Sequence, residues 1–189
     1  MFRDRTDAGR KLGAALAELR SGQPIVIGLP RGGVPVAAEV AQALEAPLDV
    51  VVVRKLGLPH QPEFAMGAVG EDGVRLIDWV TVADAGVTAS ELRFIVEREE
   101  DEVLRRAARL RGGRPPPDLD DRVVVVVDDG IATGSTATAA VRVMRDLGAR
   151  MVVVAAPVAP ARVVADLKRI ADDVVVLETR DPFYAVGQA

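Results

Sequence analysis

A chain of 189 residues, 49% of them hydrophobic, is long enough for one domain with a sizeable core. Its 24 basic and 28 acidic side chains leave a formal charge of −4, which gives no broad attraction to nucleic acid or to an anionic membrane. With no cysteine and one histidine, His60, it cannot build disulfides, thiolate metal sites or a histidine-rich metal site, and a Ser-His-Asp triad is disfavoured.

Residues 4–20 read as a first helix, with Leu12, Leu16 and Leu19 on one face. Residues 25–28 form a short apolar strand, 34–44 a helix and 48–53 a second strand. Two apolar stretches at 65–69 and 74–77 flank Glu71, Asp72 and Gly73 and predict a hairpin. Residues 88–111 make a long charged helix. Its apolar face carries Leu92, Ile95, Val96, Val103, Leu104 and Leu110, and Asp101/Arg105 and Glu102/Arg106 are i,i+4 pairs. The Gly/Pro run at 112–117 ends that helix and reads as a connector inside the domain. A strand at 123–127 follows, then a helix to about 147, a strand at 151–156, a helix at 160–170 and a strand at 174–177. Five apolar strands linked through helices predict an α/β fold, a doubly wound and mainly parallel sheet with right-handed crossovers. No apolar run approaches the roughly 18–20 residues of a membrane helix, and the charged N-terminus is unlike a signal peptide. A soluble cytoplasmic protein is the expectation.

In such sheets ligands bind beyond the carboxyl ends of the strands. Here the polar and glycine-rich segments follow strand ends. After the valine strand come Asp128, Asp129, Gly130, Ile131, Ala132, Thr133, Gly134, Ser135 and Thr136, and then an alanine-rich helix. Such a loop offers backbone N–H groups and hydroxyls to one anion, at a helix N-terminus that already favours negative charge. A carboxylate pair beside a phosphate cradle suits a sugar phosphate. Asp-Asp-Gly by itself is also an ordinary turn, and Ser, Thr and Asp are ordinary helix caps. After the first strand come Arg31, Gly32 and Gly33, where glycine permits close backbone approach and arginine adds a charge with several donors. After the second come Arg54 and Lys55, either a solvated edge or a pair that neutralises an anion. His60, Glu63 and Glu71 are the proton-transfer candidates that follow, and Glu63 is the preferred base.

The string from Val123 to Thr136 closely resembles the signature of the type I phosphoribosyltransferases, which bind phosphoribosyl pyrophosphate. The resemblance implies that Asp128 and Asp129 contact the ribose hydroxyls and that Thr133, Gly134, Ser135 and Thr136, with Ala132 beside them, hold the 5′-phosphate. It implies that the loop of Arg31, Gly32 and Gly33 binds the pyrophosphate, with a non-proline cis peptide preceding Arg31. Lys55, and with it Arg54, would neutralise the leaving group, as in the Arg-Lys segment of adenine and orotate enzymes. Residues 56–73 correspond to the family's mobile loop, and 74–117 with the termini would supply a small hood over one domain spanning 1–189. Mg²⁺ would bridge pyrophosphate and ribose oxygens, and a homodimer is common in the family.

Two features depart from the family pattern. Phe183 and Tyr184 resemble the Phe-Val-Val-Gly segment of 6-oxopurine enzymes, where the aromatic stacks on the base; Phe183 equally suits a hydrophobic anchor. The chain then stops at Ala189, before the acidic residue that helps those relatives bind a second metal, which suggests a truncated C-terminus. Ala132 also stands where those enzymes place an aspartate facing the purine, and so matches the adenine type better. The expected activity is transfer of the phosphoribosyl group to a nitrogen base, purine-like, with no nucleic-acid or membrane partner. The alternative is a regulatory module that binds phosphoribosyl pyrophosphate without transfer. A phosphatase using the Asp-Asp pair would leave the Arg31 and Lys55 loops unexplained.

Overall fold

The computed structural model describes residues 2–112 and 114–180. Phe183 and Tyr184 lie outside the described residues.

The five predicted strands form one parallel sheet. In chain order they are β1 (Ile25–Gly28), β2 (Leu48–Val50), β6 (Val123–Val127), β7 (Met151–Ala159) and β8 (Asp173–Thr179), with spatial order β2-β1-β6-β7-β8. A second, antiparallel sheet holds β3 (Val53–Leu58), β4 (Gln61–Gly70) and β5 (Arg75–Ile77). The helices are α1 (Arg5–Ala15), α2 (Gly33–Leu44), α3 (Trp79–Asp84), α4 (Ala89–Arg111), α5 (Ser135–Asp146) and α6 (Ala161–Leu167).

The valine strand explains why the sheet is covered on both faces. Side chains alternate along a strand, so Val125 and Val127 join Leu12, Val36, Val40 and Leu44 of α1 and α2. Val124 and Val126 join Ala140, Val141 and Met144 of α5, with Leu167 of α6. A third apolar cluster lies between the antiparallel sheet and α4, through Leu56, Met66, Val69, Leu92, Ile95, Val96 and Val103. Val53 and Ala68 pack with the α5 cluster, so the antiparallel sheet sits against α5 as well as α4. No helix among the described residues is long and apolar enough to cross a membrane.

Four expectations are corrected. The first helix ends at Ala15 and tightens into a 3-10 turn over Ala17–Gly22. The Leu16 N–H is shared between the Leu12 and Gly13 carbonyls, at 3.1 and 3.2 Å, which marks that tightening. The second strand does not run through 48–53. It stops at Val50, and the chain re-enters structure at Val53 in the other sheet. The change of sheet has a local cause, because the Val52 N–H donates to the buried Glu71 carboxylate at 2.8 Å instead of to a strand. On α4, Leu104 and Leu110 are exposed, and the buried stripe is Leu92, Ile95, Val96, Glu99 and Val103. Finally, Arg105 pairs with Glu102 at 2.8 Å and not with Asp101, so Glu102 serves both Arg105 and Arg106. The helix starts on a Thr88/Glu91 capping box, which fixes its first turn.

Candidate active site

The sheet order makes β1 and β6 neighbours whose following connections leave in opposite directions, β1 toward β2 and β6 toward β7. Ligands of open α/β sheets bind at such a switch point. The register sets Gly28 level with Val127, so the two strands end side by side. Their loops are tied by backbone bonds. The Leu29 N–H donates to the Val127 carbonyl at 2.9 Å, and the Gly33 N–H to the Leu29 carbonyl at 3.0 Å. On the other flank, the Asp128 N–H donates to the Ala155 carbonyl at 3.2 Å and the Ile131 N–H to the Val158 carbonyl at 2.9 Å.

The two loops approach closely enough to need glycine. A methyl group on Gly32 would overlap the Asp129 carboxylate, and one on Gly33 would lie 2.5 Å from the Val127 carbonyl oxygen. The Pro30–Arg31 peptide is cis, where the resemblance placed it. Arg31 is exposed at the loop's tip.

Asp128 and Asp129 are partly buried, and Asp128 Oδ1 accepts the Asp129 N–H at 2.9 Å. Burial pushes the Asp128 carboxyl up to about 7; the hydrogen bond from Asp129 opposes the rise and the adjacent Asp129 charge adds to it. Asp129 has a partner from far along the chain. Arg5, at the start of α1, donates through Nε and an Nη to Asp129 Oδ2, at 2.9 and 2.7 Å. Sequence reasoning missed Arg5. Its partner is 124 residues away, and one arginine at a helix start carries no signal of its own.

The next loop enters α5. Gly134 adopts a left-handed conformation there, with φ 78°, and a methyl on it would lie 2.7 Å from Val163. Thr133 Oγ1 and Ser135 Oγ are 3.2 Å apart, so the two hydroxyls flank the N-terminus of a twelve-residue helix. That end favours an anion through unpaired N–H groups and the helix dipole.

Arg54 and Lys55 lie on β3 itself, one strand of an ordered hairpin, and not on a loop after the second parallel strand. Arg54 pairs with the buried Glu99 of α4 at 2.7 Å, and Glu99 also takes Arg98 at 2.8 Å. Lys55 lies 3.4 Å from Glu63, whose side chain is 84% exposed. Glu71 is engaged by Val52, which leaves it a structural carboxylate. A cavity of about 530 Å³ joins these parts. It is lined by Lys55, Leu58 and Pro62 of the hairpin, by Phe94 and Arg98 of α4, and by Thr136 beyond the hydroxyl loop. Pro30 of the first loop also reaches it. A larger groove of about 980 Å³, beside Trp79 and Val82, touches neither strand-end loop.

Comparison with known proteins decides what family this geometry belongs to. The family model for the phosphoribosyl transferase domain matches residues 5–187. The chain belongs to the phosphoribosyl transferase domain family. The Mycobacterium tuberculosis protein Rv0571c, whose name assigns it provisionally to the phosphoribosyl transferases, is 52% identical over 188 residues. That match takes in 100% of this chain and 42% of the relative, so the chain spans under half the length of the curated relatives it matches. The crystal structure of TT1426 from Thermus thermophilus is 47% identical, with a TM-score of 0.91, covering 100% of this chain and 89% of that one. A purine phosphoribosyltransferase from Pyrococcus horikoshii shares the fold at 19% identity and a TM-score of 0.53, over 96% of this chain and 86% of that one.

Within this phosphoribosyl transferase domain, the structure brings together Arg31, Gly32, Gly33, Asp128, Asp129, Gly130, Ile131, Ala132, Thr133, Gly134, Ser135 and Thr136 at the carboxyl edge of the parallel sheet. Lys55 reaches the same region from the hairpin, through the cavity that Pro30 and Thr136 share. Arg54 shares that cavity and is held by Glu99. Phe94, 65% exposed on α4, is an aromatic at the cavity that sequence reasoning passed over. It lies off the helix's apolar stripe, which was the available sign.

Proposed function

We propose that this domain binds phosphoribosyl pyrophosphate and, with Mg²⁺, transfers its 5-phosphoribosyl group to a purine-like nitrogen base, releasing pyrophosphate. One observation carries the reading: an acidic pair, a glycine-bounded cationic loop and a hydroxyl-bearing helix N-terminus meet where β1 and β6 end. Those three parts suit the two hydroxyls, the diphosphate and the 5′-phosphate of one ligand.

In this reading Asp128 and Asp129 accept hydrogen bonds from the ribose hydroxyls, and Arg5 gives up Asp129 when the sugar arrives. Thr133, Ser135 and the first N–H groups of α5 hold the 5′-phosphate. Arg31 and Lys55 neutralise the departing diphosphate. The base enters the cavity between the hairpin and α4, with the face of Phe94 available for stacking. Most of the rate comes from positioning and fixed charge, since a loose oxocarbenium-like transition state needs little covalent help.

The fit of Mg²⁺ rests on the donor set. Among the described residues no group of three or more acidic, His or Cys side chains could cage a metal. Mg²⁺ favours one or two carboxylates plus substrate phosphate oxygens, and Asp128 and Asp129 supply such a pair. When bound, it would offset charge on the diphosphate. The homodimer and the cytoplasmic setting belong to the same reading, and sedimentation velocity tests the first.

The second reading is a module that binds phosphoribosyl pyrophosphate and performs no transfer. One observation favours it: the carboxylates lining the cavity are already engaged. Glu91 caps Thr88, and Glu99 holds Arg54 and Arg98. Calorimetric titration with phosphoribosyl pyrophosphate, with and without Mg²⁺, tests what both readings share. Binding that needs Mg²⁺ and is lost in Asp129→Asn supports them, and no binding removes both. A nucleobase screen of pyrophosphate release then divides enzyme from sensor.

A further inference from the structure

Helix α4 carries charge that the fold does not require. A cavity of about 270 Å³ lies between its second half and the loop after β1, and Arg31, Arg105, Arg106 and Arg109 all line it. Glu102 is the one acid in that lining, and it already bonds both Arg105 and Arg106, at 2.8 and 2.5 Å. Arg31 and Arg109 make no ion pair among the described residues. Arg105 and Arg109 stand at i,i+4, the spacing at which like charges repel on a helix. Four guanidinium groups facing one carboxylate leave a strong local excess of positive charge in a chain whose net charge is −4.

The helix C-terminus accounts for part of this, since a cation in the last turn meets the negative end of the dipole. It does not account for Arg31, which comes from a different element and converges on the same space. Nor does it account for continuity with the site. Pro30 and Arg106 line this cavity and also the larger one that holds Lys55 and Thr136. A guanidinium presents paired donors that match phosphate oxygens, so several around one small cavity suit a multiply charged phosphate ligand.

We propose that Arg105, Arg106 and Arg109 of α4 join Arg31 to form a diphosphate subsite, which holds the leaving end of phosphoribosyl pyrophosphate. The inference rests on the donor reading above for the identity of the ligand, but the subsite itself is a claim about diphosphate. It makes α4 a source of cations for the leaving group, beyond the strand-end loops and Lys55.

The test uses the full chain and three probes in one Mg²⁺ buffer: phosphoribosyl pyrophosphate, inorganic pyrophosphate and ribose 5-phosphate. The variants are Arg109→Ala, Arg105→Ala and Arg109→Lys. The first two should weaken phosphoribosyl pyrophosphate and pyrophosphate by about tenfold each, with ribose 5-phosphate changed less than about twofold. Arg109→Lys should recover part of the loss, because the charge remains and the fork is gone. The melting temperature should stay put, since Arg105 and Arg109 are exposed. Unchanged affinity for the two diphosphate ligands overturns the subsite, and so does an equal loss for ribose 5-phosphate. The two levels separate cleanly. Donor binding that depends on Asp129 and ignores Arg109 keeps the donor reading and removes the subsite. Pyrophosphate binding that depends on Arg109, in a protein that does not bind the donor, keeps the subsite and removes the donor reading.

Discussion

The two sides of the site are built by different physics. At the carboxyl edge of the parallel sheet, backbone hydrogen bonds to neighbouring strands position the loops, and Asp128, Asp129 and Ser135 there are partly buried. On the hairpin and α4 side, ion pairs hold the cations: Arg54 with Glu99, Lys55 with Glu63, Arg75 with Glu100. A backbone-fixed edge costs little to keep in one geometry and suits a sugar phosphate that must be held still. Glu99 is buried, but the pair of Lys55 with Glu63 lies at the surface, where ion pairs are weak and exchangeable. They suit groups that change partner when a charged ligand arrives. Arg5 belongs to the second kind although it touches the first, since its guanidinium occupies Asp129 from an exposed position.

The largest expected effects fall on the backbone-fixed edge. Asp128→Asn and Asp129→Asn should each remove about 2–4 kcal/mol of transition-state binding, read as kcat/KM for pyrophosphate release. Gly32→Ala should match them without changing any charge, because its methyl overlaps the Asp129 carboxylate. Full activity in Gly32→Ala would mean that the edge gives way and is not fixed. Asp128 adds a pH dependence. Its carboxyl holds a proton up to about 7, so a ligand that needs the carboxylate must first expel it. Donor affinity should therefore rise by about one log unit per pH unit toward 7 and flatten above, with that component absent in Asp128→Asn. Stability runs the opposite way. Between the ordinary carboxylate range and 7 the folded protein keeps a proton the unfolded chain has lost, so this contribution falls as pH rises. Ligand-free Asp128→Asn should melt higher than the parent chain at about pH 8 and level with it at about pH 4.

A middle-sized effect tests the other side. Glu99 is buried and serves two arginines, so Glu99→Ala should cost about 1–3 kcal/mol of stability. Thermal melting would show this as a fall of roughly 3–9 °C. Arg98→Ala removes only an exposed partner of the same carboxylate and should cost under about 1 kcal/mol. Equal losses in the two variants would mean that the buried carboxylate does not organise this side.

The same contrast governs what the sequence made legible. Val123–Val127, the acidic pair and the hydroxyl loop are contiguous, and strand-end chemistry follows directly from their order. The family model over residues 5–187 and the parallel sheet agree with the family resemblance and the fold that this stretch implied. The hairpin was legible only in part. Its β4 and β5 strands were expected near Gly73, but the start of β3 was merged into the second parallel strand. The unbroken valines at 50–53 give no sign of where one sheet ends. The break depends on Glu71, 19 positions on, taking the Val52 N–H. Arg5 with Asp129 and Arg54 with Glu99 were invisible for the same reason, since such pairings exist only after the chain has folded.

The smallest expected effect is the most discriminating for chemistry. Glu63 is 84% exposed and lies 3.4 Å from Lys55, a distance and exposure at which an ion pair contributes under about 1 kcal/mol. Glu63→Gln should leave the melting temperature unchanged. Its kinetics then separate two roles. If Glu63 takes the proton from the acceptor base, kcat falls while donor affinity holds. If Glu63 only pairs with Lys55, the substitution frees that ammonium for the diphosphate, so donor affinity rises slightly and kcat holds. The second outcome would place Lys55 and Glu63 wholly in the exchangeable half of the site. The hairpin would then act as a switchable charge beside an edge that does not move.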